Sequence, residues 1–531
     1  MKWHPALAGV FLWLWACGDA AEPGPPRLTI ADGPFQPDWA SLAKYECPEW
    51  FRDAKFGIWA HWGAQCEPEQ GDWYAHRMYV EGSADYKYQV AHYGHPAKAG
   101  FKEVIREWKA EHFDPDQLLA FYHANGARYF VALAVHCDNF DNYNSKYQPW
   151  NAVNLGPHQD LIGEWAAAAR RLGLRFGVSV HNGGWTWQWN EVAQGADAVG
   201  PLAGVPYDGK LTRADGKGLW WDGLDPQDLY AQNHPIGAKP DPAYCERFFR
   251  RTVQLWDDYR PDLIYFDETV LPMRRLGVDD AYGLNLYAHF YNSSIRRHGV
   301  NEAVITAKML DATQRKALVY DIERGRTSAI LPQPWQTDTC LGDWHYSRRL
   351  FEQHLYRKAR TIIPMLADIV SKNGNLMLSV PVRADGTIDE DETKIVSDIG
   401  TWLRVNGEAI YSTRPWRIYG EGPSTTVAQE KGAFDGLKDV GGGPYTAADF
   451  RFTQAKDGRT LYAIGLAFPA DGAVTIKALA ESSALWPDKI GGVQMLGVNA
   501  ALKCRRDGQG LHVTLPSERP CDLAFALKIT K

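Results

Sequence analysis

Four short apolar runs in this chain end on a polar side chain, and that repetition narrows what the chain can fold into. Residues 50–63 read W-F-R-D-A-K-F-G-I-W-A-H-W-G and close on His61 and Trp62. Residues 128–136 (R-Y-F-V-A-L-A-V-H) lead to Asp138, residues 174–181 (L-R-F-G-V-S-V-H) lead into a Trp-rich loop, and residues 262–267 (D-L-I-Y-F-D) precede Glu268. A lone histidine after an apolar run is more often a satisfied core group. Its recurrence argues for strands that each deliver a polar group at the C-terminal end, where (β/α)8 barrels keep their chemistry.

Helical periodicity fills the intervals. Residues 115–125 are closed by Gly126, 160–172 by Gly173, and 242–259 end before Pro261; each is followed directly by a strand. Runs at 303–308, 317–322, 335–339 and 375–380 bring the strands to eight, the seventh being the weakest. The predicted fold is α/β: a TIM-like (β/α)8 barrel over 38–405 with an insertion at 182–240. That insertion lacks a steady period, carries W-T-W-Q-W and G-L-W-W-D-G-L-D-P, and lies on the catalytic face, where long ordered loops shape subsites. From about residue 407 short strands alternate with Gly, Pro and Asp turns, as at 460–467, 472–476, 511–515 and 523–529, with one short helix near 478–485. Residues 406–531 therefore read as a C-terminal all-β sandwich that packs on the barrel. A chain of 531 residues suits two such domains.

The net charge is −7 and no Lys/Arg run is long enough to track a phosphate backbone, so nucleic acid is not expected as a partner. The counts of 22 Trp and 25 Tyr are high; any single Trp is more often a core residue, but an excess near polar loops also suits stacking on the apolar faces of sugar rings. Residues 1–21 have one basic residue, an apolar run and small residues after it, the anatomy of an export signal. Leu14-Trp15-Ala16-Cys17 resembles a bacterial lipobox, which would lipidate Cys17 and give the only membrane contact; cleavage after Ala20 or Ala21 is the alternative. The expected location is periplasmic, secreted or lipid-anchored in an outer membrane. Residues 22–37, rich in Pro and Gly, read as a linker. Seven further cysteines show no C-x-x-C spacing, so neither a zinc site nor a full disulfide framework is written here, although Cys504 and Cys521 could pair.

A barrel that cleaves glycosidic bonds needs one carboxylate at the anomeric carbon and another to protonate the leaving oxygen. Asp267 emerges from a buried strand and is the expected nucleophile. Glu268 should point the other way if the strand continues. Glu323, in Y-D-I-E-R-G-R, is the expected acid/base, with Asp321 and Asp338 in reserve. Its neighbours Arg324 and Arg326 count against it, because a cation favours the charged form.

These residues resemble the α-L-fucosidases of glycoside hydrolase family 29. Beside W-F-R-D-A-K-F-G-I-W-A-H-W-G, five further segments are similar in order: G-D-W-Y-A-H-R-M-Y (71–79), A-R-Y-F-V-A-L-A-V-H-C-D-N-F (127–140), P-D-L-I-Y-F-D (261–267), P-W-Q-T-D-T-C-L-G-D-W-H-Y (334–346), and I-V-S-K-N-G-N-L-M-L-S-V-P (369–381). The resemblance, over about residues 40–415, implies an exo-acting retaining hydrolase that needs no metal or other cofactor and removes terminal α-L-fucose from fucosylated glycans through a covalent intermediate at Asp267. It implies that His61, Trp73 and His136 line the fucose pocket, that Trp344 lies near the sugar methyl, that Lys308 stands where relatives have Asp-Arg, and that Glu323 falls where some members carry their acid.

The chain departs from the family pattern at three positions. Cys137 stands in place of a second histidine, Asn139 in place of a glycine, and Gln336 in place of a glutamate. A cysteine lacks the two-nitrogen hydrogen bonding of histidine, so hydroxyl recognition would be rebuilt by His181 or Asn182. Gln336 cannot donate a proton as an acid. Two other readings stay open at this point: a sugar-binding protein on a degenerate barrel, and a barrel glycosidase for an α-galactoside or a sulfated fucose.

Overall fold

The computed structural model describes residues 28–232, 234–269, 273–426, 437–438 and 445–531. The export segment 1–21, with Cys17, lies outside them. Eight parallel strands, β1 (Phe56–Ala60), β2 (Tyr129–Val135), β3 (Arg175–Val180), β4 (Leu263–Thr269), β5 (Val304–Lys308), β6 (Val319–Asp321), β7 (Trp335–Cys340) and β8 (Gly374–Ser379), close a barrel in sequence order, β8 pairing with β1. Parallel strands covered by helices are buried on both faces, which is why most read as unbroken apolar runs.

β7, W-Q-T-D-T-C, is the exception, and all six of its residues are buried. Its polar groups find partners on both faces: inside the barrel Gln336 Nε2 donates to Asp321 (2.8 Å) and Tyr265 donates to Asp338 (2.8 Å), and on the outer face Thr337 donates to the Gly325 carbonyl (2.9 Å). A polar strand of this kind gives little hydrophobic signal in sequence.

The outer helices begin where aspartates cap them. Asp114, Asp160 and Asp241 accept from the first turns of α1 (Pro115–Ala124), α2 (Leu161–Arg171) and α3 (Pro242–Tyr259). Residues 28–37, expected as a linker, are docked on α4 (Ala281–His298): Ala31 N donates to His289 Nδ1 (3.0 Å), and Asn292 Nδ2 donates to the carbonyls of Ala31 and Phe35. Side-chain anchors on the helix, which linker composition does not reveal, decide this.

The C-terminal module has a five-stranded and a three-stranded antiparallel sheet. Phe450, Phe452 and Phe525 of the first meet Val474, Ile476 and Val513 of the second in one core, which makes a sandwich. The outer face of the larger sheet, with Tyr462, Ile464 and Ala526, joins the barrel core. Arg451 bonds Asp368 (2.6 Å) on α5 (Ala359–Ser371), and Trp402 on α6 (Glu390–Asn406) donates to the Ala524 carbonyl. The helix expected near 478–485 is only a 3-10 turn, Lys477–Leu479, because Ser483 bonds back to the Ala478 carbonyl and competes with helix propagation. Cys504 and Cys521 are separate free thiols, so their expected pairing is not made.

Candidate active site

The C-terminal ends of the strands surround a cavity of ≈ 440 Å³. All eight residues singled out from the sequence line it: His61, Trp73, His136, His181, Asp267, Lys308, Glu323 and Trp344. Barrel geometry accounts for this convergence, since each follows a strand whose direction is fixed by its parallel neighbours.

Asp267 sits at the centre. Its Oδ2 meets His181 Nδ1 at 2.8 Å and its Oδ1 meets Lys308 Nζ at 2.5 Å. Burial pushes this carboxyl up, but the Lys308 ammonium and the His181 contact outweigh it and hold it far below the usual carboxylate range. The same ammonium also pairs with Glu323. One cation touching both carboxylates keeps their nearest oxygens within about 5 Å, of the order retaining glycosidases use. Lys308 is itself buried, and the charges of Asp267 and Glu323, the largest acting on it, overcome that burial to keep it protonated. The arginines beside Glu323 are engaged elsewhere: Arg324 donates to the Gly342 carbonyl (2.8 Å), and Arg326 faces Asp368 at 3.8 Å. The cation that matters to Glu323 comes from β5.

Beneath this cluster, Asp321 and Asp338 hydrogen-bond to each other. Burial raises both carboxyls; Asp338 is pushed up to about 7, with Lys308 pulling it down and Glu323 adding to the rise. The reserve candidates thus form a proton-holding floor, from which Asp338 alone reaches the cavity wall.

Across the cavity, His61, His136 and His181 follow β1, β2 and β3. Burial depresses all three imidazoles and keeps them neutral, able to donate and to accept hydrogen bonds to hydroxyls. Their ligand atoms all lie within 4.8 Å of one another, a grouping that could hold a metal ion. That bound is looser than the separation of about 3.3 Å between nitrogens around a tetrahedral zinc. Trp344 packs against His61 with ring centroids 5.1 Å apart. Trp73 is 39% exposed and left-handed at φ 64, a strained conformation for a bulky side chain and a mark of functional sites. Asp72 accepts from the His345 backbone N (2.8 Å), which ties the loops that carry Trp73 and Trp344 together.

A family model described as alpha-L-fucosidase matches residues 26–408, and one described as the alpha-L-fucosidase C-terminal domain matches residues 444–530. The chain belongs to the α-L-fucosidase family. It is 26% identical to the tissue alpha-L-fucosidase of Homo sapiens over 99% of this chain and 97% of that one, and 27% identical to that of Rattus norvegicus over 100% and 98%. Among solved structures it is similar to a Thermotoga maritima alpha-fucosidase in complex with fucose (TM-score 0.67, 22% identity, 93% of this chain and 100% of that one). This member is accordingly a retaining glycoside hydrolase that releases terminal α-L-fucose.

Against the other fucosidases, the departures fall unevenly. Cys137 lines the cavity, and His181 does too, whereas Asn182 does not: its amide faces the Arg251 guanidinium at 3.1 Å. Asn139 keeps the left-handed backbone that suits the family's glycine, at φ 66, a conformation asparagine tolerates. Gln336 is fully buried inside the barrel, away from the cavity, accepting from Tyr129 (3.1 Å).

Sequence reasoning missed Trp59, Tyr265, Trp185, Glu268 and Met309 as lining residues. Trp59 and Tyr265 stand two residues before His61 and Asp267, on the same strand face, and that alternation was a usable signal. Glu268 was expected to turn away. However, the register of β4 on β5 jumps between Tyr265 and Thr269, and a bulge of this kind breaks strict alternation, so Asp267 and Glu268 both reach the cavity.

Proposed function

We propose that this fucosidase cleaves fucosylated oligosaccharides or glycoconjugates by double displacement, with Asp267 as nucleophile and Glu323 as acid/base. The observation that carries this assignment is the spacing: both carboxylates line one cavity and reach the same Lys308 ammonium, which sets their nearest oxygens at the short separation of a retaining pair. In the first step Asp267 attacks the anomeric carbon while Glu323 hands its proton to the leaving oxygen. Ester formation removes the Asp267 charge and leaves Lys308 to Glu323 alone. In the second step water attacks the anomeric carbon, Glu323 takes the proton of that water, and the ester bond to Asp267 breaks to release fucose. The neutral histidines and Trp344 hold the sugar.

The test is release of nitrophenolate from an aryl α-L-fucoside beside the matching α-galactoside, with mass spectrometry of the peptide that holds Asp267 after treatment with a slow fluorinated fucoside. Turnover of the fucoside alone and a fucosyl adduct on Asp267 are expected; turnover of the galactoside, or an adduct elsewhere, overturns the assignment. Glu323→Ala should lose about 10²-fold or more on a fucosylated disaccharide and much less on the aryl substrate, because a phenolate needs little protonation. Equal losses would remove Glu323 from the acid role. The proposal includes export, supported by the residue pattern of 1–21 alone; recovery of the protein in a cytoplasmic fraction would count against it.

A further inference from the structure

Strand order divides the cavity mouth. The three histidines follow β1 to β3 and Trp344 follows β7, while Glu268 lies near the end of β4, and Met309 and Glu323 follow β5 and β6. A group that protonates the leaving oxygen must face the leaving group, so the part of the substrate beyond the fucose lies over β4 to β6. That side carries the charged cluster of Asp267, Lys308 and Glu323, and its apolar lining is Met309 together with Trp185 from an ordered piece of the insertion. Met309 is left-handed at φ 52 and 42% exposed at the rim. Trp185 is half-buried in the first turn of the short helix Gly184–Trp189, and its backbone N donates to Glu268 Oε1 at 2.5 Å.

Glu268 is 3% exposed. Burying a carboxylate is costly, and a backbone N–H in a first helical turn is a partner that compensates it. The approach is close: a Cβ on Gly184 would lie 3.3 Å from Met273 Cα and 3.5 Å from Glu268 Oε1. The neighbouring tryptophans, Trp187 and Trp189, are buried in the barrel's main core, so of the W-T-W-Q-W run Trp185 is the one that lines the cavity. The insertion is held from behind by buried Lys102, which pairs with Asp208 at 2.8 Å while Tyr79 and Tyr230 donate to the same carboxylate.

We propose that Trp185 and Met309 form the leaving-group subsite, which takes the apolar face of the sugar ring next to the fucose, and that Glu268 is the positioning residue that holds Trp185 there. This rests on Glu323 being the acid. Asp267 works on the anomeric carbon, and the adjacent side chain, brought inward by the β4 bulge, fixes the loop that meets the aglycone.

The test compares kcat/KM on a fucosylated disaccharide with that on α-L-fucosyl fluoride, whose leaving group has no ring. Trp185→Ala and Met309→Ala should each lower the disaccharide-to-fluoride ratio, Trp185→Ala by about 10-fold, the size of a stacking contact. Glu268→Ala should match Trp185→Ala, and Glu268→Gln should restore the ratio, since an amide oxygen still accepts from the Trp185 N–H. A ratio unchanged in Trp185→Ala and Met309→Ala overturns the subsite. Glu268→Gln behaving like Glu268→Ala overturns the positioning role. Should Glu268→Ala fail to fold, the other three variants decide both points. Failure of the fucosidase assignment itself would look different: the wild type would turn over neither substrate.

Discussion

The two sides of the barrel mouth are built on opposite electrostatic plans. After β1 to β3 stand three imidazoles that burial keeps neutral. From β4 to β6 come two carboxylates bridged by a buried ammonium. Neutral groups that both donate and accept can read hydroxyls without a net charge, whereas bond cleavage needs charge held in place before the transition state forms. One barrel runs both because each strand end is a separate local environment.

The largest test of that contrast is Asp267→Ala, expected to cost about 10³-fold or more in kcat/KM because the covalent route is lost. Circular dichroism should show the fold intact, and retention of fucosidase turnover would contradict the division. Lys308→Met should follow at roughly 10²-fold, as for other lost charge-stabilising groups. It carries a directional signature as well. The ammonium holds Asp267 low, so its removal lets that carboxyl rise, and the acid limb of the kcat/KM profile should move to higher pH. A limb that stays put would mean that His181 alone sets the nucleophile's charge.

On the neutral side His136→Ala should cost about 10-fold, mainly in KM, the loss of a hydroxyl contact rather than of chemistry. A fall confined to kcat would place this imidazole in the reaction and blur the two sides. The smallest effect concerns the floor. Burial pushes the Asp338 carboxyl up to about 7 in the fold. Since its unfolded value is about 4, the folded state keeps a proton that the unfolded chain has lost in the interval. The stability it contributes is complete below the lower value and is lost as pH rises through the upper one. Asp338→Asn should therefore flatten the fall in melting temperature from about pH 4 to about pH 7, and unchanged curvature would show that Asp321 holds the proton instead.

Most of the cavity was legible in sequence because a parallel barrel converts a one-dimensional pattern into a ring: an apolar run and then a polar residue places that residue at the mouth wherever the strand lies. Asp267, Glu323 and the histidines were found in this way. The role of the Asp321 and Asp338 pair was not legible, since β6 and β7 carry buried polar groups whose proton sharing depends on strands meeting across the barrel. Nor was the partner of Glu323. Arg324 and Arg326 are its neighbours in the chain, yet the cation it touches is Lys308, fifteen residues earlier.

The sequence by itself determined the fold class, the family and the candidates for chemistry, because hydrophobic period and strand-end residues are local properties that survive in one dimension. Tertiary structure decided which charges touch, which carboxyls keep their protons, and that Glu268 turns inward to the insertion. Coulomb interactions and desolvation act through space, and a slip in register at β4 redirects a side chain without leaving a mark in the residue pattern.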